Sequence, residues 1–216
     1  MATATSKEVL NINCALAEKS RLADYEKRRL YLYGTINDYD TDTDSRMFNG
    51  YASMVGEIVE AIFVFNREDK TKPPKRRDPI KLYINSPGGD LNEGFALIDA
   101  IKLSKTPVHT INVGQWSSMS FLIGITGHKR FSLPSATFLM HDGSSGAFGS
   151  TNKVQDLVEF ERRFKDEVIK KHVLAHSKMK SADYDALARV EYYLLPTDAL
   201  ESGFIDKIVT DIDEIL

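Results

Sequence analysis

The spacing of hydrophobic and polar positions changes repeatedly along the chain, from a two-residue period to a helical period and back. Short apolar runs with strand-like spacing predict a series of β-strands. They cover residues 29–33, 80–85, 108–114, 131–133, 136–141 and 204–210. The first strand is predicted to close at Gly34, and the second is predicted to break at Ser86.

Between these runs, apolar residues recur three and four positions apart, and this spacing predicts helices. The predicted helices cover residues 47–65, 90–103, 115–126, 151–176, 181–189 and 197–202. Asp90, with Glu93 three residues later, is typical of the capping pair that opens a helix. Because strands alternate with helices, the sequence predicts an α/β protein with a mainly parallel sheet.

Polar segments interrupt this pattern in three places. Residues 1–20 have no clear period and are interpreted as an N-terminal arm, which leaves residues 21–216 as one expected domain. Residues 35–46 are acidic and rich in turn-forming residues. Residues 66–79 are charged and contain prolines, so they are interpreted either as a solvated surface loop or as a basic binding patch. Acidic residues within the same stretch favour the loop.

Composition and charge narrow the function classes. A chain of 216 residues is long enough for one sizeable core, and its net charge of −3 does not indicate binding to nucleic acid or to an anionic membrane. No apolar run reaches the ~20 residues of a membrane span, and the N-terminus lacks the apolar region of a secretory signal. Cys14 is the single cysteine, which excludes an internal disulfide and a Cys-rich metal site. We therefore expect a cytoplasmic protein without a metal.

Two predicted strand–helix junctions carry residues suited to catalysis. Gly88 and Gly89 follow the strand at 80–85, where they either bring backbone N–H groups close to a ligand or simply form a tight turn. Ser117 and Ser118 lie near the start of the helix predicted at 115–126. A serine hydroxyl in such a position suits a nucleophile beside an oxyanion site, but serine is also a common helix N-cap.

A nucleophilic serine needs a base, and His141 is the best-placed histidine of the five in the chain. It ends an apolar strand and precedes a glycine-rich turn, a position that suits proton transfer. A purely structural role for this histidine is the alternative.

The segments that contain these residues resemble, in their order and spacing, the proteolytic subunit of the Clp protease, the ClpP family of serine peptidases. They are LYINSPGG at 82–89, GQWSSM at 114–119, KRFSLP at 129–134, MH at 140–141 and ALESGFID at 199–206. Each motif alone is weak evidence for the family, but the set of motifs in this order and spacing is highly specific for it. The resemblance extends over roughly residues 20–209.

This resemblance implies a ClpP/crotonase-like fold, in which stacked ββα units form a superhelix with a protruding handle at about residues 143–176. It also implies self-association into heptameric rings, two of which stack into a tetradecamer that encloses the active sites. A Clp-family ATPase would unfold polypeptide substrates and thread them into this chamber. The chain itself would need no cofactor.

Matched position by position, the resemblance implies that Ser118 is the nucleophile and His141 the general base. It implies that the backbone N–H groups of Gly89 and Met119 form the oxyanion hole. With these residues in place, we expect a serine endopeptidase.

The third member of the triad is the first departure from the family pattern. Glu191 stands where the family carries an aspartate, and we expect it to take that role. The nearby acids Asp142, Asp183 and Asp185 are the alternatives. Val190 replaces an arginine that, in the family, couples contacts within the ring to the active site.

Other departures lie around the nucleophile and on the expected ATPase-docking surface. Trp116 and Ser117 replace two small alanines, and the interval from Ser118 to His141 is two residues shorter than usual. Tyr83 and Leu103 fit the apolar pocket that receives the ATPase. Lys81, however, stands where an aromatic residue is common, and the loop before it is longer than usual.

These departures indicate a divergent paralogue and leave other functions open. One alternative is a weakly active or structural subunit of a mixed ClpP ring. Another is a virion-associated maturation protease of the phage type with the same fold. Acyl-CoA chemistry on the related crotonase scaffold is disfavoured, because a Ser–His pair has no role in it.

Overall fold

The strands form one sheet in which nearly all neighbours are parallel. The computed structural model describes residues 19–37, 53–144, 146 and 148–216. Within this part of the chain the strands are β1 (Arg29–Ile36), β2 (Ile80–Gly89), β3 (Val108–Ser117), β4 (Lys129–Ser132), β5 (Thr137–Met140), β6 (Tyr192–Leu194) and β7 (Lys207–Ile208). They pair in the order β1-β2-β3-β4-β7, while β5 pairs with β3 and, antiparallel, with β6. The predicted α/β architecture with mainly parallel pairing is confirmed.

Helices alternate with these strands. They are α1 (residues 19–26), α2 (Met54–Glu68), α3 (Leu91–Leu103), α4 (Met119–Ile125), α5 (Thr151–Phe164), α6 (Lys170–Ala175), α7 (Ser181–Leu187) and α8 (Pro196–Glu201). A π-helical stretch, Lys165–Ile169, joins α5 to α6, so the long helix predicted at 151–176 is present with one irregular turn. Short 3₁₀ turns occur at Pro74–Arg76 and Ile212–Glu214. No helix in the described residues is both long enough and apolar enough to cross a membrane.

Strands β1, β2 and β3 each run further than their sequence predicts. β1 passes through Gly34 to Ile36, because Gly34 takes a positive φ of 80° and the pairing with β2 resumes after a bulge. β2 passes through Ser86 to Gly89, and its pairing with β3 is likewise interrupted and then resumed at Ser86 and Trp116. The predicted break at Ser86 is therefore wrong, since neighbouring strands supply backbone partners for a segment whose sequence is typical of a turn.

The helix predicted at 115–126 begins later than expected. Gln115, Trp116 and Ser117 belong to β3 and pair with β5, so the helix proper begins at Met119. This correction matters because it places Ser118 at a sharp change of direction between a strand and a helix.

Side chains cap the first two long helices, and the cap of α3 is the one predicted from the sequence. The Asp90 side chain accepts a hydrogen bond of 2.9 Å from the Glu93 N–H and so caps α3, as predicted. Ser53 caps α2 by accepting from the Gly56 N–H at 3.0 Å, which sets the start of that helix at Met54. The part of the helix prediction at 47–52 lies outside the described residues, as does most of the acidic segment at 35–46.

The charged segment at 66–79 is not simply a surface loop. Its first residues complete α2, and Asp69 is fully buried with an ion pair to Arg28. The Asp69 carboxylate also accepts a hydrogen bond of 3.1 Å from the Thr106 hydroxyl and pairs with Lys72 at 3.0 Å. The prediction of a solvated loop is wrong at this position. The charge of Arg28 and the hydrogen bond from the buried Thr106 hydroxyl compensate the burial of the Asp69 carboxylate, and these partners are distant in the sequence.

The N-terminal arm predicted at 1–20 lies outside the described residues, except for residues 19 and 20, which are helical.

The main core lies between the sheet and helices α2, α3 and α4. Its largest fully buried side chains include Trp116, Phe121, Phe138 and Phe204. A smaller cluster of Tyr83, Ile111, Val209 and Ile215 is separate from it. Burial of each large apolar side chain contributes about 1.5–3 kcal/mol. Trp116 at the end of β3 and Phe121 at the start of α4 flank the candidate residue Ser118 in the sequence, so this part of the site is anchored in the core.

Candidate active site

Ser118 lies at the junction of β3 and α4, in a backbone conformation that is rare for a residue with a side chain. Its φ is 56° and its ψ is −124°. Such a conformation costs about 1–3 kcal/mol and persists only where the surrounding structure holds it. The N–H of Ser118 donates to the Leu139 carbonyl of β5 at 2.9 Å, and its carbonyl accepts from the N–H of Phe121. These backbone bonds hold the half-buried serine in place.

The N-cap alternative for Ser118 receives no support from its contacts. The residue occupies the N-cap position of α4, but its side chain makes no capping hydrogen bond. Ser117, the other candidate, is the last residue of β3, and its hydroxyl lies 3.4 Å from the Gln115 side chain. The Ser118 hydroxyl is therefore not committed to the helix terminus.

Met119 is the first residue of α4, and its N–H points out of the helix without an acceptor in the preceding turn, as at any helix start. Its side chain is buried against α3, where a Cβ atom on Gly94 would overlap it. This contact anchors the start of α4 in the core. The N–H group predicted to bind an oxyanion is thereby fixed beside Ser118.

The end of β2 lies directly against Ser118. A Cβ atom on Gly88 would lie 2.7 Å from the Ser118 Cβ and 2.9 Å from the Met119 nitrogen, and Gly88 has a φ of 96°. Gly89 has a φ of 145°, and a Cβ there would overlap the Ile36 carbonyl of β1. Glycine is required at both positions, so the two segments singled out from the sequence come into contact.

His141 follows β5, and Glu191 precedes β6. These strands are antiparallel neighbours, with Met140 opposite Tyr192, so the two side chains are brought to the same end of the ladder. The Nδ1 atom of His141 lies 2.9 Å from Oε1 of Glu191. A carboxylate in this position accepts a hydrogen bond from the Nδ1–H group, which leaves Nε2 as the acceptor of the neutral ring.

The other ring nitrogen of His141 is buried and free. Nε2 has no hydrogen-bond partner among the described residues. The Leu139 carbonyl accepts a hydrogen bond from the Ser118 N–H, and His141 follows Leu139 by two residues. This backbone contact therefore brings His141 close to Ser118. No hydrogen bond joins His141 Nε2 to Ser118, and in unliganded sites such bonds are often long until substrate binds.

Two of the three alternative acids are paired elsewhere. Asp142 forms an ion pair with Lys165 of the long helix, and Asp185 accepts two hydrogen bonds, of 2.6 and 2.7 Å, from Lys170. Asp183 lies in the first turn of α7. Glu191 is thus the acid that the structure brings to His141.

Trp116 is accommodated in the core next to the candidate nucleophile. It is fully buried, and its ring meets Phe138 edge-on at 5.5 Å. A Cβ on Gly124 of α4 would overlap the indole, so the absence of a side chain there provides the room for it. The large residue in place of a small one is therefore compensated locally.

Ser120 is a residue of this region that the sequence did not single out. Its side chain is fully buried beneath the β3–α4 junction, where it makes hydrogen bonds to the backbone of β2 and of β3. Three serines lie within the four residues SSMS at 117–120, so spacing alone does not show which of them is catalytic and which is structural.

A cleft of about 540 Å³ lies away from these residues, and none of the five candidate site residues lines it. Arg130 on its wall pairs with Asp206 and donates hydrogen bonds to the carbonyls of His176 and Gly203. No cluster of potential metal ligands occurs in the described part of the chain.

Comparison with known proteins gives consistent similarities. A family model described as Clp protease matches residues 51–211. The ATP-dependent Clp protease proteolytic subunit of Streptococcus gordonii is 29% identical over 162 residues, which cover 74% of this chain and 80% of that protein. The corresponding subunit of Streptococcus sanguinis is 31% identical over 160 residues, covering 73% of this chain and 79% of that protein.

Proposed function

Because the chain belongs to the Clp protease family, we propose that it is a serine endopeptidase that cleaves unfolded polypeptides. Ser118 is the nucleophile, His141 the general base, and Glu191 the carboxylate that orients the histidine. The backbone N–H groups of Gly89 and Met119 form the oxyanion hole. No cofactor takes part in the steps that these residues carry out.

The reaction follows from these roles. His141 Nε2 takes the proton of the Ser118 hydroxyl as its oxygen attacks the peptide carbonyl carbon, and the carbonyl oxygen becomes an oxyanion held by Gly89 and Met119. The imidazolium, stabilised by Glu191, then protonates the leaving amine as the C–N bond breaks. Water, activated by the same histidine, cleaves the acyl-enzyme and releases the acid.

One observation carries the proposal: the two nitrogens of His141 have different surroundings. Nδ1 lies 2.9 Å from a carboxylate, whereas Nε2 is buried and unpartnered among the described residues. A buried polar atom without a partner is costly, and in a functional site the missing partner is commonly a substrate or a reacting group. The strained conformation of Ser118 at the same place supports the same conclusion.

The finer architecture is part of the proposal. Stacked ββα units would form a superhelix, and the segment at about 143–176 would be the handle that joins two heptameric rings. The helix α5 supports this role, because none of its residues is buried in the described structure although it carries Leu157, Val158 and Phe160. Exposed apolar side chains in a row on one helix are typical of an interface between subunits.

A Clp-family ATPase is the proposed partner, because the similar proteins are proteolytic subunits of an ATP-dependent protease. Tyr83 is only 6% exposed and belongs to the smaller core cluster, so the expectation that it lines the docking pocket is wrong. Exposed apolar area comes instead from Tyr31, which is 38% exposed and stacks on Tyr83 with ring centroids 5.2 Å apart, and from Leu103, which is 82% exposed. Lys81 lies on β2 two residues before Tyr83, and burial lowers the pKa of its ammonium group.

If the charge of Lys81 weakens docking of the ATPase, the variant Lys81→Tyr should increase degradation of a folded substrate in the presence of a Clp ATPase. Cleavage of a short peptide without the ATPase should stay unchanged. Equal ATPase affinity of the two proteins would show that this position has no such role.

A mixed ring is the second candidate, and one observation favours it. Val190, which replaces the family arginine, is 53% exposed next to Glu191, so this chain lacks one expected contact between ring and site. Size-exclusion mass of the chain expressed alone distinguishes the two arrangements. A stable ring without a second chain type contradicts the mixed ring.

The proposed activity is tested by hydrolysis of a fluorogenic peptide with the purified chain and three variants. Ser118→Ala and His141→Ala should each reduce kcat by about 10⁴-fold or more, the scale found when triad members are removed. Ser117→Ala is the matched control and should retain activity, because its hydroxyl faces Gln115. Full activity in Ser118→Ala, or its loss in Ser117→Ala alone, contradicts the assignment.

A further inference from the structure

The hydroxyl of Ser120 connects two segments that are distant in sequence. It lies 2.6 Å from the Ser86 carbonyl of β2 and accepts a hydrogen bond of 2.8 Å from the Ser117 N–H of β3. The Ser117 carbonyl is also 2.8 Å away. The side chain is fully buried, so no water competes for these bonds.

The hydroxyl has one proton, and the distances indicate where it goes. The shortest contact is to the Ser86 carbonyl, so the hydroxyl donates its hydrogen bond there, while a lone pair of its oxygen accepts from the Ser117 N–H. Both backbone groups lie where the β2–β3 pairing is irregular, after the shift in register between Ile84 and Ser86. The side chain thus replaces a hydrogen bond that the regular ladder would otherwise supply.

Each of the two connected segments leads to one donor of the proposed oxyanion hole. Ser86 is followed by Gly88 and Gly89 at the end of β2, and Ser117 is followed by Ser118 and Met119. The Ser86 hydroxyl accepts from the Gly88 N–H at 3.1 Å, which extends the same network toward the glycines. The separation of the two donors therefore depends on how firmly these strand ends are joined.

We propose that Ser120 is a positioning residue for the oxyanion hole, holding the Gly89 and Met119 N–H groups at a fixed separation. This role rests on the proposed peptidase function and does not require Ser120 to touch substrate. It differs from a purely structural role, because the loss of the hydroxyl should weaken binding of the transition state more than it weakens the fold.

The test compares Ser120→Ala with Thr110→Val. Thr110 is a matched control, since its hydroxyl is also fully buried and donates to a backbone carbonyl of α4, that of Gly124, at 2.6 Å. Both variants lose one buried hydroxyl, so both should lower Tm by about 2–12 °C. Only Ser120→Ala should affect catalysis.

For Ser120→Ala we expect kcat and kcat/KM for a short peptide to fall together by about 10–100-fold, as for a small misplacement of transition-state donors. The affinity for a peptide boronic acid, which forms a tetrahedral adduct with the nucleophile, should fall by the same factor. In Thr110→Val both quantities should stay within about twofold of wild type, the scale for a change away from the reacting atoms.

Three outcomes would overturn the proposal: unchanged kcat in Ser120→Ala, a fall in kcat without a fall in boronate affinity, or equal losses in Thr110→Val. If Ser120→Ala does not fold, Ser120→Cys takes its place, because a thiol keeps a weak donor and should give a smaller loss of the same kind. A wild-type chain that neither cleaves peptide nor binds the boronate contradicts the proposed function itself, whereas an active wild type with an unaffected Ser120→Ala contradicts only the positioning role.

Discussion

Two carboxylates of this protein, Asp69 and Glu191, each pair with a basic side chain, yet their surroundings differ completely. The side chain of Asp69 is fully buried and meets Arg28, which is 12% exposed. The side chain of Glu191 is 54% exposed and meets His141, which is 20% exposed. The first pair joins the turn before β1 to the end of α2, and the second joins the ends of β5 and β6.

The contrast shows which of the two pairs serves the fold. Arg28, together with Lys72 and Thr106, satisfies the buried Asp69, and removing one partner of such a pair leaves an uncompensated charge. An exposed pair contributes only about 0–1 kcal/mol to stability. The His141–Glu191 pair therefore adds little to the fold, and its geometry is better explained by chemistry.

The largest expected effect is on activity and comes from Glu191→Gln. The amide cannot stabilise the imidazolium and can favour the wrong tautomer of His141, so kcat should fall by up to ~10⁴-fold. Because Glu191 is exposed, the free energy of unfolding should change by less than about 0.5 kcal/mol. Peptide hydrolysis and urea unfolding of the same preparations measure the two quantities.

Two further variants sharpen the result. Glu191→Asp should also lose activity, since the backbone is set for the longer side chain that reaches Nδ1 at 2.9 Å. Asp185→Asn is the control, because Asp185 pairs with Lys170 and should be dispensable for hydrolysis. Near wild-type activity in Glu191→Gln, together with loss in Asp185→Asn or Asp183→Asn, would show that the third member is misassigned.

The second effect is on stability and comes from Asp69→Asn. Removal of the buried charge leaves Arg28 with only the more distant Glu68 carboxylate, at 3.8 Å, so the free energy of unfolding should fall by up to about 3–5 kcal/mol. At temperatures where the variant stays folded, kcat should match that of wild type, because Asp69 contacts none of the candidate site residues. A stable variant with reduced kcat would contradict the assignment of the Arg28–Asp69 pair to stability and of the His141–Glu191 pair to catalysis.

The third expected effect is a pH dependence of stability. Hydrogen bonding from Arg28, assisted by Lys72 and Thr106 and opposed by burial, holds the pKa of the Asp69 carboxyl well below its usual range. In the unfolded chain this pKa returns to about 3.9, so the contribution of Asp69 is complete above that pH and is lost as the pH falls below it.

Wild type and Asp69→Asn should therefore differ most in unfolding free energy near pH 7, and the difference should shrink below about pH 4. Other carboxylates titrate in both proteins and cancel in this comparison. Urea unfolding at pH 7, 5 and 3 measures it, and a difference that stays constant down to pH 3 would show that Asp69 is not the group responsible.

The smallest expected effect comes from Asp142→Asn. Asp142 adjoins His141 but pairs with Lys165, and its side chain is 44% exposed. The variant should lose less than about 1 kcal/mol of stability, the range of exposed ion pairs. A large loss of kcat here would instead place Asp142 in the triad.

The sequence predicts the order of strands and helices well, because each element has a clear hydrophobic period. It misplaces the ends of β2 and β3, where Ser86 to Gly89 look like a turn but find partners on β1 and β3. Such pairing depends on strands that are distant in the sequence, so the local pattern of hydrophobic residues does not predict it.

The candidate site divides in the same way. Ser118, His141, Gly89 and Met119 are found through motifs whose spacing is fixed by the family, and Glu191 by its position in the same pattern. Ser120 and Asp69 are missed, since only the tertiary structure reveals that a serine bridges two strand ends or that a loop aspartate is buried. Their roles depend on long-range contacts.

The most direct test of the central claim, that Ser118 is a nucleophile activated by His141 and Glu191, is labelling with a fluorophosphonate probe followed by intact mass and peptide mapping. The expected result is one adduct per chain, located at Ser118, absent in Ser118→Ala and formed much more slowly in Glu191→Gln. A folded wild-type chain that takes up no probe, or an adduct at Ser117 that persists in Ser118→Ala, would contradict the claim.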